Sequence, residues 1–173
     1  MPKRLTGISF IETMIIIVIT SIIIGLSIPL FNQFYQNTNN KQNITAFENQ
    51  LRTAKRVALT HNATVTLCSS SDLSSCQESS WSNGFITFID YNGNHIRDPN
   101  DVILHHQLPY PKGHNLTLNA LHSNHFFQFK PLGMITHNGA FSYQIKESQL
   151  SKKFIVSQRG RIRKLWGHEY NSK

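Results

Sequence analysis

The chain begins with one long hydrophobic stretch and continues as a mostly polar sequence. No charged residue occurs from Met14 to Phe31, and isoleucine is abundant there. About twenty apolar residues in an α-helix span a bilayer core of roughly 30 Å. We therefore predict a membrane-spanning helix over residues 8–35 and a polar domain over residues 36–173.

A second helical pattern follows the hydrophobic stretch. Apolar residues recur three and four positions apart at Ile44, Phe47, Leu51, Ala54 and Ala58, which places them on one face of an α-helix. The first helix is thus predicted to continue and to lie against the polar domain. The charged residues of this segment are interpreted as a solvated face, and they are Lys41, Glu48, Arg52, Lys55 and Arg56.

Short runs typical of β-strands begin after His61. They combine β-branched and aromatic residues and are separated by turn residues. The runs are 65–67, 84–90, 102–104, 115–118, 126–129, 141–145 and 154–157. A long helix followed by many short strands is typical of the α+β class, which is the fold class that we predict.

Two features at the N-terminus bear on membrane topology. Lys3 and Arg4 precede the hydrophobic stretch, and basic residues stay on the cytoplasmic side. The C-terminal domain is therefore predicted to lie outside the cytoplasm, anchored by a single pass through the membrane. Glu12 lies just inside the apolar segment, where an unpaired carboxylate is costly and therefore indicates a function.

Cys68 and Cys76 are the only cysteines and are separated by a serine-rich stretch. In the cytosol they could be idle thiols, but outside the membrane a close pair indicates a disulfide that closes a small loop. A zinc site is not expected, because the spacing is not that of zinc ligands and there is no second pair.

Basic residues dominate the chain, and they concentrate near its C-terminus. The formal net charge is +8, which is compatible with a polyanionic partner such as nucleic acid or anionic lipid, and equally with a basic protein that has no such ligand. Six basic residues and no acidic residue occur between positions 152 and 164: Lys152, Lys153, Arg159, Arg161, Arg163 and Lys164.

The arginines of this basic segment alternate. In an extended strand Arg159, Arg161 and Arg163 would project from one face about 6.6 Å apart, a spacing suited to successive phosphates, which guanidinium groups contact bidentately. Gly160 would let the backbone turn or approach a ligand closely. The alternative is that these charges keep an edge strand from aggregating.

The N-terminal residues resemble the class III signal of type IV prepilins. The resemblance rests on five features, which are the basic leader, Gly7, Glu12, the apolar run and Pro29. It implies that a prepilin peptidase cleaves after Gly7 and removes the leader of residues 1–7. It also implies that the chain lies in the inner membrane with a periplasmic C-terminal domain before it joins an extracellular pilus. Ile8, where the family usually has Phe, would become the methylated N-terminus, and Glu12 would set the register among the other pilins of a filament.

The remaining chain resembles the GspH/FimT branch of pilin-like proteins. The resemblance lies in the order of its features along the chain, which are the helix end, the two cysteines, the 81–85 and 88–90 runs, and the 129–133 and 157–161 segments. The resemblance implies a pilin fold, in which a long helix packs on an antiparallel β-sheet domain.

The string from Gly160 to Arg163 is similar to the motif of FimT-type minor pilins that bind DNA during natural transformation. It implies that Arg161 and Arg163 contact double-stranded DNA, with Arg159, Lys164, Lys152 and Lys153 extending the patch. The alternative is a structural minor pilin, or a type II secretion minor pseudopilin, that primes or caps a filament.

Other candidate sites are weaker. Oxygen-bearing side chains lie between Asp90 and Asp101, but Gly93 is the fourth residue of that stretch, and an EF-hand requires glycine at the sixth. A turn is favoured over a calcium loop. Trp81 is interpreted as packing, whereas Trp166 suits packing or base stacking. No cofactor, metal or enzyme activity is predicted, because no catalytic motif occurs, and the nine histidines have no clear companions.

Overall fold

One long α-helix is followed by eight β-strands in the computed structural model, which describes residues 9–120, 124–135, 138–146 and 150–166. The helix α1 runs from Phe10 to Thr60. The strands are β1 Thr64–Ser69, β2 Phe85–Asp90, β3 Val102–Gln107, β4 His114–Ala120, β5 Phe126–Phe129, β6 Gly139–Ile145, β7 Leu150–Val156 and β8 Ile162–Trp166. The chain forms two compact units, Met1–Lys41 and Gln42–Lys173.

The first unit contains the N-terminal part of α1. Its described apolar side chains are exposed from Phe10 to Ile24, and Glu12 lies in the first turn, where the helix dipole favours an acidic residue. Gly7 and Ile8 lie outside the described residues. Of the helical residues that the structure describes, none form an apolar stretch of the length that a bilayer requires.

Two antiparallel sheets make up most of the second unit. The first has the order β3-β2-β1-β5, and the second has the order β4-β6-β7-β8. Each run that was predicted as a strand lies in or overlaps one of these strands, and the α+β class is confirmed. The eighth strand, β8, begins within the basic segment that the sequence singled out.

The C-terminal part of α1 packs against both sheets. The five apolar residues of its predicted face are all buried in one hydrophobic core. The ring of Phe47 makes edge-on contacts with Phe85 of the first sheet and with Phe141 and Phe154 of the second, at centroid distances of 5.1 to 5.8 Å. The predicted packing of the helix on the β-sheet domain is therefore confirmed.

A smaller core lies on the other face of the first sheet. It contains Cys68, Ile86 and Phe88, with Cys76 packed beside them. Cys68 and Cys76 form a disulfide, as predicted for a chain outside the cytosol. The loop that this disulfide closes covers one face of β2, and the main core covers the other face. Every residue of β2 is therefore buried.

The acidic stretch after β2 is a turn. Both carboxylate oxygens of buried Asp90 accept hydrogen bonds, among them those of the backbone N–H groups of Gly93 at 2.6 Å and His95 at 3.1 Å. The Thr66 hydroxyl and the Gln128 amide also donate to Asp90. The carboxylate thus organises the loop and the ends of neighbouring strands, as the turn interpretation requires. Within the described ranges no three His, Cys, Asp or Glu residues are grouped to hold a metal.

Candidate nucleic-acid interface

The basic C-terminal segment forms the last strand of a sheet and the turn that leads into it. β8 pairs with β7 and ends the strand order of the second sheet. The turn between them is held by two hydrogen bonds: the Gly160 N–H donates to the Ser157 carbonyl at 2.7 Å, and the Ser157 N–H donates to the Arg161 carbonyl at 3.1 Å. Arg159, Arg161 and Arg163 are all exposed.

The three arginines do not share one strand face, contrary to the prediction. Arg159 lies in the turn, and β8 begins only at Ile162. Gly160 has φ +66°, which is left-handed backbone that reverses the chain between the strands. The alternation of an extended strand therefore does not continue across Gly160, and of the three arginines only Arg163 belongs to β8.

The close approach that Gly160 permits is to the chain itself. A β-carbon at this position would overlap the carbonyl oxygen of Gly133, and it would lie 3.1 Å from the Cε of Lys55. The neighbouring loop is also tied to the turn, because the Ile135 N–H donates to the Gln158 carbonyl at 3.0 Å. Gly160 is buried, so its role is to shape the turn that carries Arg161.

The remaining basic residues are distributed over two faces of the sheet. Lys164 lies opposite the buried Phe154 in the β7–β8 register, so it shares the core-side face, as does Lys152, two residues before Phe154. Arg163 and Lys153 lie on the other face, because side chains alternate along a strand. The seven predicted residues therefore form one turn and two separate surfaces.

Lys164 is engaged in an ion pair with the helix. Its Nζ lies 2.7 Å from Oε2 of Glu48, whose Oε1 accepts from Arg52 at 2.9 Å. Burial acts to raise the pKa of Glu48, but the hydrogen bonds and charges of Lys164 and Arg52 outweigh it, and the net pKa lies below the ordinary value. Glu48 is therefore ionised at neutral pH, and it offsets the positive charge of Lys164, which the prediction included in the DNA-binding patch.

A groove of about 320 Å³ separates the turn from the helix. Its lining consists of Arg52, Lys55, Arg56 and Leu59 of α1 with Gly160, Arg161 and Ile162. Four of these seven residues are cationic and none is acidic, so the groove is suited to an anion. The ion pairs of Glu48 involve Arg52 and Lys164, and among the described residues Lys55, Arg56 and Arg161 have no acidic partner.

The helical wall of this groove was not predicted. The sequence interpretation treated the charges of α1 as a solvated face, although Arg52, Lys55, Arg56 and Leu59 follow the i, i+3, i+4, i+7 spacing of one helix face. That spacing was the available signal. The turn at Gly160 determines which part of the chain faces these helical residues. The periodicity of the helix cannot predict that contact.

The other candidates are distributed elsewhere. Trp81 is buried, and its indole N–H donates to the Asn124 carbonyl at 2.7 Å, which agrees with a packing role. The side chain of Trp166 lies outside the described residues, as do His122, His137 and His168. Burial lowers the pKa of His105, a hydrogen bond with the Gln107 side chain opposes this in part, and the charge of neighbouring His106 lowers the pKa further.

Comparison with known protein families identifies the chain's relationships. Residues 43–160 match the family described as type II transport protein GspH, and this match spans more than half of the chain. The chain belongs to the GspH family. No curated protein sequence matches it.

Two solved structures share the fold of this GspH-family chain. The type IV minor pilin FimU of Pseudomonas aeruginosa superposes with a TM-score of 0.55 at 13% identity, covering 75% of this chain and 90% of FimU. The minor pseudopilin EpsH from the Type 2 Secretion System of Vibrio cholerae gives 0.52 at 12% identity, with coverages of 73% and 95%. These likenesses establish the pilin-like fold.

Proposed function

We propose that this GspH-family chain is a minor pilin that binds extracellular double-stranded DNA without sequence preference, for uptake in natural transformation. The observation that carries the proposal is the exposure of Arg161 and Arg163, at a hydrogen-bonded turn and an edge strand, without an acidic partner among the described residues. Guanidinium groups contact phosphates bidentately, and phosphate contacts carry no direct sequence information. The function is one of binding, without catalysis.

The proposal includes assembly into a filament. A prepilin peptidase would cleave after Gly7 and leave Ile8 as a methylated N-terminus. The helix of residues 8–35 would hold the chain in the inner membrane before it joins the other pilins. A buried carboxylate is tolerated when it is paired, so Glu12 would meet the terminal amine of a neighbouring subunit.

The test is DNA binding by the full chain in a nonionic detergent, measured by fluorescence anisotropy with a labelled duplex. Arg161→Ala with Arg163→Ala is expected to weaken binding by roughly tenfold or more at about 0.1 M salt, because two phosphates are no longer neutralised. The matched control is Lys112→Ala with Lys146→Ala. Both lysines are exposed, and Lys146 follows the end of β6 remote from the β7–β8 turn.

The control removes the same charge and is expected to retain nearly the parent affinity. If the arginine variant and the parent bind equally well, or if both double variants lose equal affinity, the basic turn is not the DNA site. Circular dichroism melting of each variant shows whether the fold is retained.

A second candidate function is structural: a minor pilin or pseudopilin that primes or caps a filament without touching DNA. It is favoured by the fold shared with FimU, titled a type IV minor pilin, and with EpsH, titled a minor pseudopilin. In that case the exposed arginines would protect the edge strand β8 from pairing with another chain. A parent chain that does not bind DNA at low salt would favour this function.

A further inference from the structure

The groove between α1 and the β7–β8 turn has the chemistry of a phosphate site. Its helical wall carries Arg52, Lys55 and Arg56, and its other wall carries Arg161. The positive charges on the two walls repel one another, and a bound anion would relieve this repulsion. An anion in the groove would also be attracted from both sides at once. The groove thus differs from a flat basic surface, because it holds cations on two sides of one space.

The position of Lys55 is built into the packing. β-Carbons placed on Gly133 and Gly160 would lie only 3.0 and 3.1 Å from the Lys55 Cε. The aliphatic stem of this half-buried lysine therefore occupies space that exists because both residues are glycines. Its ammonium, one bond further along, is held beside the turn that carries Arg161, so it gives up less conformational freedom when it binds a ligand.

Charge compensation distinguishes the members of the groove. Arg52 is paired with the ionised Glu48 at 2.9 Å, and so contributes less to the attraction of an external anion. Arg56 is exposed, and within the described residues it, Lys55 and Arg161 form no ion pair. The uncompensated positive charge of the groove therefore comes from two helical residues and one residue of the turn.

We propose that this groove is a phosphodiester-binding subsite, in which Lys55 and Arg56 of the helix contact the DNA backbone opposite Arg161 of the turn. The proposal rests on the proposed DNA-binding function and extends the site from one strand edge onto α1. The ligand would lie between helix and turn, instead of along the edge of β8 alone. Lys55 and Arg56 are thus binding residues.

The test compares salt dependence in four full-length chains in nonionic detergent with the same labelled duplex. They are the parent, Lys55→Gln with Arg56→Gln, Arg161→Ala with Arg163→Ala, and the Lys112→Ala with Lys146→Ala control. Glutamine retains the first two methylene groups of each side chain while it removes the charge. The expected slope of log K against log salt for the helix variant is shallower by about 0.9 for each phosphate that the variant no longer neutralises.

The outcomes separate the two proposals. A parent that binds, a helix variant with a shallower slope, and a control with the parent slope support the subsite. If the parent binds and the turn variant is weakened, but the helix variant behaves like the control, the subsite is overturned while the proposed function stands. A parent that does not bind overturns both. If the double helix variant fails to fold, Arg56→Gln alone decides the matter, because Arg56 is exposed and its replacement leaves the Lys55 packing intact.

Discussion

Gly160 determines the shape of the basic turn at the scale of a single residue. Its φ of +66° is left-handed, and a β-carbon there would overlap the Gly133 carbonyl oxygen. Gly93 has a similar φ of +72°, but a β-carbon there would meet nothing closer than the Lys130 Nζ at 3.9 Å. Substitution of these two glycines therefore distinguishes two contributions to stability. At Gly93 only the left-handed backbone is unfavourable, whereas at Gly160 steric overlap is added.

We expect Gly93→Ala to lower the free energy of unfolding by about 1 kcal/mol, the cost of left-handed backbone. Gly160→Ala is expected to cost about 3 kcal/mol or more, because strain and overlap add. Urea denaturation followed by circular dichroism measures both values. Equal destabilisation of the two variants would contradict the close approach of Gly160 to the Gly133 loop.

Single residues also show where sequence reasoning ends. The spacing of basic residues identified Arg161 and Arg163, and the structure places both at the surface. The same reasoning grouped Lys164 with them, although Lys164 is paired with Glu48. That pair joins positions 48 and 164, and local spacing contains no information about a contact at such a separation.

The disulfide loop is the element with the clearest energetic role. The bond joins residues eight positions apart, and the chain-entropy estimate for a loop of that size is about 2.5 kcal/mol. Cys68 also packs in the smaller core, so its replacement by serine would leave a hydroxyl group in an apolar environment. The loop therefore stabilises the outer face of the first sheet by both routes.

Replacing both cysteines by serine is expected to lower the free energy of unfolding by about 2.5 kcal/mol or more. Urea denaturation of the oxidised parent and the variant measures the difference. The reduced parent serves as the control, since it lacks the cross-link but retains the cysteine side chains. A variant as stable as the oxidised parent would show that the bond does not constrain the unfolded chain.

At the scale of elements, strands were easier to predict than the turn between them. Runs of β-branched and aromatic residues between turn residues identified segments such as 84–90, and every residue of β2 within that run is buried. The prediction failed at Arg159, since it continued a strand period through Gly160. A glycine permits either an extended or a left-handed backbone, and here the hydrogen bonds from Gly160 to Ser157 and from Ser157 to Arg161 hold the left-handed turn.

At the scale of the whole molecule, the second unit is organised around α1. Its apolar face was predictable from residue spacing, and Phe47 joins both sheets through it. The division of eight strands into two sheets was not predictable, because register and partner choice depend on long-range packing. The basic groove depends on that arrangement too, since it exists only where the helix faces the β7–β8 turn.

The central claim, that the folded chain holds DNA by its phosphates, concerns the charge of the molecule as a whole. The most direct measurement is the affinity of the full chain for two duplexes of unrelated sequence as salt is varied. The account predicts equal affinities for both duplexes and a linear fall of log K with log salt, with a slope near −0.9 for each phosphate neutralised. No binding at low salt, or binding that does not change with salt, would contradict it.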